Sequence, residues 1–281
     1  MALLSRAVHL SALFIYPVKS LRGCAVDEAT VDPRGLAGDR RFMVVDADGK
    51  FLSQRTLPRL ALIGTRLDAA TLSLEAPRHG VIEIPRDGQP DADQRQVSVW
   101  SSGDLTAEDC GDAVAGWLSD FLSTSCRLVR AGAAFRRPVR KVPAGLEASE
   151  VAFADAFPGL LLTEASLRAL NDRLIARGEE MVPMDRFRPN LVVAGATPHA
   201  EDGWTRVRIG RAVLRCAGPC ARCVMTTIDQ QTGERGVEPL RTLSSYRRDA
   251  RQPGDVNFGQ NVIPEGVTGI VRVGDPVSTA A

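Results

Sequence analysis

The stretch Cys216-Ala-Gly-Pro-Cys220-Ala-Arg-Cys223 gathers half of the six cysteines of a 281-residue chain into eight residues. Its Cys-x3-Cys-x2-Cys spacing is the one that holds a four-iron cluster in radical enzymes, where it follows the first strand of a (β/α)8 barrel near the start of a domain. Here it comes late, after a hairpin-like β run at 206–216, with no strand–helix alternation around it. Reading these residues decides between an α/β barrel and a β-rich fold, and their setting favours the second. Zinc would need a fourth ligand, and the three histidines, His9, His79 and His199, do not stand at metal-finger spacing. A single reactive thiolate suits the local chemistry better. Arg222 adjoins Cys223, and a neighbouring cation favours the ionised form in which a thiol acts as metal ligand or nucleophile. Thr226 and Thr227, in an expected strand over 224–229, offer hydroxyls to a polar ligand, while Cys216, ending an apolar strand, reads as a small buried hydrophobe.

Composition narrows the classes further. Apolar residues make up 44% and charged residues 25% of the chain, an ordinary globular balance, and the length suits two domains or one large one. A net charge of +1 gives no global reason to expect a nucleic-acid or anionic-membrane partner. The local clusters Arg136-Arg137-Pro-Val-Arg140-Lys141 and Arg247-Arg248 read as solvated faces. No apolar run approaches the ~20 residues of a membrane span, and Met1-Ala-Leu-Leu-Ser-Arg6 lacks the features of a signal peptide. The expectation is a cytoplasmic protein in a reducing milieu, where clustered cysteines are ligands or reactive thiols rather than disulfide partners.

In the first half, β-type runs fall at 9–16, 25–32, 41–46, 60–67, 71–76, 80–84 and 96–100, with turn signals such as Asp32-Pro33-Arg34-Gly35 between them. Spacing of about ten residues predicts a small sheet or barrel. A polar loop follows at 86–93, and Ala113, Val114, Trp117, Leu118, Phe121 and Leu122 predict a helix over roughly 109–123. The aperiodic residues 131–157 read as a long loop, a boundary or a functional lid. Beyond it, Thr163 can cap a helix over about 164–177 after a strand at 160–163. Strands at 191–194, 206–216, 224–229, 260–264 and 269–273 and a short helix near 239–247 complete the reading, with the two parts joined near 125–135.

Several separated segments then resemble one family. Cys220-Ala-Arg-Cys223-Val-Met-Thr-Thr-Ile-Asp229, Thr232-Gly233, Glu238-Pro-Leu-Arg-Thr-Leu-Ser-Ser-Tyr-Arg247 and Gly274-Asp-Pro-Val277 resemble the MOSC domain. Ile15-Tyr-Pro-Val-Lys-Ser20 with Gly38-Asp-Arg-Arg-Phe42 resembles the β-barrel domain that precedes it in one branch, and Thr163-Glu-Ala-Ser-Leu167 and Phe187-Arg-Pro-Asn190 complete the pattern. The resemblance covers nearly the whole chain. It implies a β-rich α+β fold, with an N-terminal β-barrel-like domain at 5–125 and a C-terminal MOSC β-barrel domain with flanking helices at 130–279. The branch includes the mitochondrial amidoxime-reducing component and bacterial reductases of N-hydroxylated compounds.

The resemblance further implies a molybdenum cofactor, Mo-molybdopterin, with the metal bound by Cys223; Cys220 occurs in relatives without ligating. A soft thiolate suits molybdenum. Cations and donors for the phosphate and pterin would come from Lys19, Ser20, Arg40, Arg222 and Thr226, from Thr163 and Ser166 at a helix start, and from Arg188 and Asn190. Each alone has a plain explanation, Lys19 as a surface lysine, Arg40 as a turn arginine and Asn190 as a strand-entry hydrogen bonder; together they follow the family order. The implied activity is reduction of a small N-hydroxylated or N-oxide substrate with two electrons and two protons, water leaving, and the cofactor doing the difficult chemistry. Asp229 is a candidate proton donor and equally a strand-end turn residue. The chain stops at Gly274-Asp-Pro-Val-Ser-Thr-Ala-Ala281 without a ferredoxin module or membrane anchor, so a separate ferredoxin- or cytochrome-type donor is expected. The rival is a sulfur carrier or cofactor-sulfurase-like protein with a persulfide on Cys223, although no pyridoxal-phosphate domain accompanies it; cofactor storage or delivery is a third reading.

Overall fold

A computed structural model describes residues 7–88, 91–140, 149–266 and 269–280. Met1–Arg6, part of the 86–93 loop and residues 141–148 of the 131–157 loop lie outside the described residues. The chain is a β-rich α+β protein, as its sequence predicts. Eight strands form the largest sheet, in the order Val277–Ala280, Arg206–Ile209, Ala212–Ala221, Asn257–Pro264, Gly159–Thr163, Leu191–Ala194, His9–Ile15 and Cys24–Val26. A five-stranded sheet runs Gln94–Val99, Ser102–Asp109, Arg127–Arg130, Phe42–Val45 and Val18–Lys19. Gly64–Leu67, Thr71–Ala76 and Gly80–Pro85 make a meander, and Gly269–Arg272 pairs with Glu28–Asp32.

The patterns behind these strands are simple. In Arg206–Ile209 the arginines face out while Val207 and Ile209 are buried, the alternation of a half-buried strand. Leu191–Ala194 is instead apolar throughout, and it lies between two partners, antiparallel to His9–Ile15 and parallel to Gly159–Thr163. Two main helices flank the sheets: α1 spans Asp112–Leu122 and α2 spans Glu164–Ile175. Helix α2 forms the parallel crossover, burying Leu170 and Leu174 against Phe187, Leu243, Val256 and Phe258.

Several expectations are corrected. Residues 60–62 belong to the turn Pro58–Leu62, begun by a proline, and the strand starts only at Gly64. The run at 206–216 is, as expected, a hairpin, and it turns at Gly210, whose φ of 55° suits glycine. Residues 127–130, expected near a junction, form a central strand, and Ser102–Asp109 is an unforeseen one. Val224–Thr227 is a tight helical turn rather than a strand, because the hydroxyls of Thr226 and Thr227 donate back to the carbonyls of Cys223 and Val224 at 3.0 and 2.8 Å.

The two halves of the chain interlock. The first strand lies inside the sheet built mostly from the C-terminal half, and Leu10 N–H donates to Asp275 O at 2.9 Å while Val277 N–H donates to Val8 O at 2.9 Å. No helix among the described residues is long and apolar enough to cross a membrane.

Candidate functional site

The strand Ala212–Ala221 loses regular register with Asn257–Pro264 on either side of Pro219. Gly218, at φ 105°, occupies a backbone region that favours glycine. The irregular end of this strand delivers the gathered cysteines into three different environments. Cys216 packs against the main core, and burial pushes its thiol pKa up to about 11. The sulfur of Cys220 accepts a hydrogen bond from Arg222 Nη1 at 3.0 Å, and that of Cys223 accepts one from Arg55 Nη2 at 3.2 Å. All six cysteines are free, and among the described residues no three His, Cys, Asp or Glu side chains are grouped to hold a metal.

A cavity of about 510 Å³ opens beside Cys220 and Cys223. It brings together seven of the ten sequence-predicted residues: Lys19, Ser20, Arg40, Arg188, Asn190, Arg222 and Cys223. Ser20, Arg40 and Arg188 all adopt left-handed backbone conformations, with φ of 67°, 47° and 55°. Such conformations are uncommon away from glycine and cluster at functional sites. Arg40 donates to Asp39 Oδ2 at 2.6 Å, Asn190 Oδ1 at 3.0 Å and the Arg188 carbonyl at 3.3 Å. Arg188 donates to Leu21 O at 2.6 Å, and burial, with Arg40 nearby, lowers its pKa to about 10. Both guanidiniums lie 4.3 Å from the ring centroid of the buried Tyr16. Asn190 acts as a staple, its amide joining Phe14 O and the Leu160 N–H.

Three predicted residues lie elsewhere. Thr163 caps α2, accepting from Ser166 N–H at 3.2 Å, and its hydroxyl donates to Glu201 Oε2 at 3.0 Å. Thr163 and Ser166 are fully buried and line no cavity wall; their donors are consumed by the cap and by Glu201. Thr226 is also buried, holding the turn behind Cys223 through its bond to the Cys223 carbonyl. Arg222 reaches the cavity but not the sulfur beside it in sequence, bonding instead to Cys220 and to Phe187 O at 2.7 Å. Asp229 accepts the N–H groups of Gln231 and Thr232 at 2.7 and 3.0 Å and pairs with Arg186, the behaviour of a turn residue.

Two residues that sequence reasoning missed, Arg55 and Asp155, hold the cavity's edge. Asp155 pairs with Lys19 and Arg55 and accepts Trp100 Nε1–H at 3.1 Å. Burial works to raise its carboxyl pKa, but the two cations overcome this and hold it far below the usual carboxylate range. Burial pushes the pKa of Lys19 down, against the pull of Asp155. Asp155 lies in the aperiodic loop flagged as a boundary or lid; nothing in the turn Ser53-Gln-Arg-Thr56 marks Arg55. Around the cavity six cations, Lys19, Arg40, Arg55, Arg186, Arg188 and Arg222, face three carboxylates, Asp155, Asp249 and Asp255, and Arg40 and Arg186 also pair with Asp39 and Asp229 outside its lining. That surplus suits an anionic ligand. Arg186 Nε and Arg222 Nε are buried without a protein partner.

The MOSC N-terminal beta barrel domain matches residues 7–125, and the MOSC domain matches residues 148–278. The chain is similar to mitochondrial amidoxime-reducing component 1 of Mus musculus, 38% identical over an alignment of 282 positions that covers 95% of this chain and 81% of the relative. The Homo sapiens protein of the same name is 35% identical over an alignment of 288 positions that covers 98% of this chain and 84% of that one. The molybdenum cofactor sulfurase of Danio rerio is 36% identical over 265 residues, which span 89% of this chain but 31% of the sulfurase.

Proposed function

Because the chain belongs to the MOSC family, in the branch with a MOSC N-terminal β-barrel domain, we propose that it binds a molybdenum cofactor through Cys223 and reduces N-hydroxylated or N-oxide compounds. One observation carries the reading: a soft sulfur donor and a surplus of fixed cations face a single cavity of about 510 Å³. These residues fit an anionic pterin dithiolene with a phosphate tail, which needs a thiolate at one end and cationic donors at the other. Lys19, Ser20 and Arg40 would hold the phosphate end, Arg188 and Arg222 the pterin edges, and Cys223 the metal. Thr163, Ser166 and Thr226 would act only from behind, through the backbone they fix. When bound, the cofactor supplies the two-electron redox chemistry. Residues 5–125 and 130–279 would each contribute to one site, so neither part is expected to act alone. Electrons would arrive from a separate ferredoxin- or cytochrome-type protein.

The likeness to a cofactor sulfurase favours a second reading, in which Cys223 carries a persulfide to a partner. Two assays separate them. The reductase should contain about one Mo per chain when made in a cofactor-competent host fed molybdate, and should reduce an amidoxime with a chemical electron donor. Cys223→Ala should abolish that activity and Cys216→Ala should leave it largely intact; equal loss in both would sink the single-ligand reading. The carrier should release cyanolysable sulfur from Cys223 and show no reduction.

A further inference from the structure

We propose that Arg55 is a positioning residue for the Cys223 sulfur, fixing its orientation and drawing electron density from it where it would meet the metal; this rests on the molybdenum reading. Arg55 Nη2 carries two hydrogens, and both are committed, one to Cys223 Sγ at 3.2 Å and one to Asp155 Oδ2 at 3.0 Å. Nη1 donates to Ser53 Oγ at 3.2 Å within the same turn. The guanidinium also sits 4.7 Å from the Trp100 ring centroid, and Trp100 in turn donates to the other oxygen of Asp155. The cation is thus held from three sides.

The brace extends into the fold. Arg137 is buried and donates to the carbonyls of Ala152, Ala154 and Asp155 at 3.1, 2.5 and 2.9 Å, pinning the strap that carries Asp155. On the other side, Gln54 and Gln230 exchange amide hydrogen bonds of 3.1 Å, and Gln54 also donates to Ser20 O at 2.7 Å. The residue before Arg55 is therefore tied both to the loop after Cys223 and to the cavity wall at Ser20. A guanidinium so fixed cannot retreat when the sulfur takes a metal. Arg222, the neighbour of Cys223 in sequence, does not serve this role because its Nη groups bond to Cys220 Sγ and Phe187 O and not to Cys223.

A charged N–H donor on a ligating sulfur weakens its donation to the metal, and both that bond and the positive charge favour the metal's reduced state. The test loads wild type, Arg55→Met and Arg55→Lys in a cofactor-competent host, measures Mo per chain, and reads the thiolate-to-metal charge-transfer absorption and the Mo(VI)/Mo(V) midpoint potential. Arg55→Met should hold Mo, with its band moved to longer wavelength and its midpoint below wild type. Arg55→Lys, which keeps the charge, should lie between the two. Loaded variants with band and midpoint at wild-type values overturn this proposal alone, whereas wild type that binds no Mo overturns the cofactor reading and this one with it. If Arg55→Met loads no metal, the same two readouts on Arg55→Lys decide. If neither loads while both melt as wild type does, the sulfur's dependence on Arg55 stands.

Discussion

Thr163→Val separates a structural from a cofactor-binding role for the start of α2. Valine keeps the shape of threonine but loses the hydroxyl, which accepts from Ser166 N–H at 3.2 Å and donates to Glu201 at 3.0 Å. Losing the cap costs about 0.5–2 kcal/mol. Glu201 is buried, and leaving its carboxyl one donor short costs about 1–3 kcal/mol more. The sum, about 1.5–5 kcal/mol, is a large part of the stability of an ordinary domain. Urea unfolding followed by circular dichroism should show a lower midpoint at unchanged slope. Metal content per folded chain should stay at the wild-type level, because Thr163 does not line the cavity. An unchanged midpoint together with lost metal would refute the reasoning, since the hydroxyl would then serve the ligand and not the fold.

Further outcomes follow from the same geometry. Burial raises the Glu201 pKa above its ordinary value of 4.5, so its contribution is fully present below that value and is lost as pH rises through the raised folded one. Glu201→Gln should remove this decline from a plot of unfolding free energy against pH, and an unaltered slope would rule the residue out as its source. A Cβ at Gly23 would lie 2.4 Å from Tyr16 Cδ1, so Gly23→Ala should cost about 1–3 kcal/mol in thermal unfolding through overpacking. Phe258→Ala, which removes a ring 4.6 Å from that of Phe187 beneath α2, should cost about 3–5 kcal/mol. Burial pushes the thiol pKa of Cys110 and Cys216 up to about 12 and about 11, so mass spectrometry after alkylation at pH 8 should find both lagging a free cysteine peptide, Cys216 on the order of 100-fold. Labelling of either at the peptide's rate would contradict their burial.

What could be read from the chain follows the range of the interactions involved. Helix α2 was legible because its cap, Thr163, and its inward leucines, Leu170 and Leu174, lie within about three turns of one helix. Ser102–Asp109 was not, because its inward positions are Leu105, Ala107 and Asp109, and only the first is a large apolar side chain. The turn at 224–227 looked like a strand because Val-Met-Thr-Thr has strand composition, whereas two local hydroxyl bonds fold it. In the cavity, Lys19, Arg40 and Arg188 were found through short motifs. Arg55 reaches Cys223 across 168 residues and Asp155 across 100, and no local pattern encodes a contact of that span.

The interlocked sheet also constrains the order of events during synthesis. His9–Ile15 leaves the ribosome well before its partner Leu191–Ala194 and before the Asp275 carbonyl that receives its Leu10 N–H. Until they arrive, an apolar strand waits with an open edge, the condition that recruits chaperones and favours mispairing. Lys19 and Ser20 follow directly on that strand, while Cys223 comes only after the partner strand Leu191–Ala194. The cavity therefore comes into existence only after Cys223 has been made, and any ligand that needs both of its walls is a passenger of the folded protein rather than a template for the growing one.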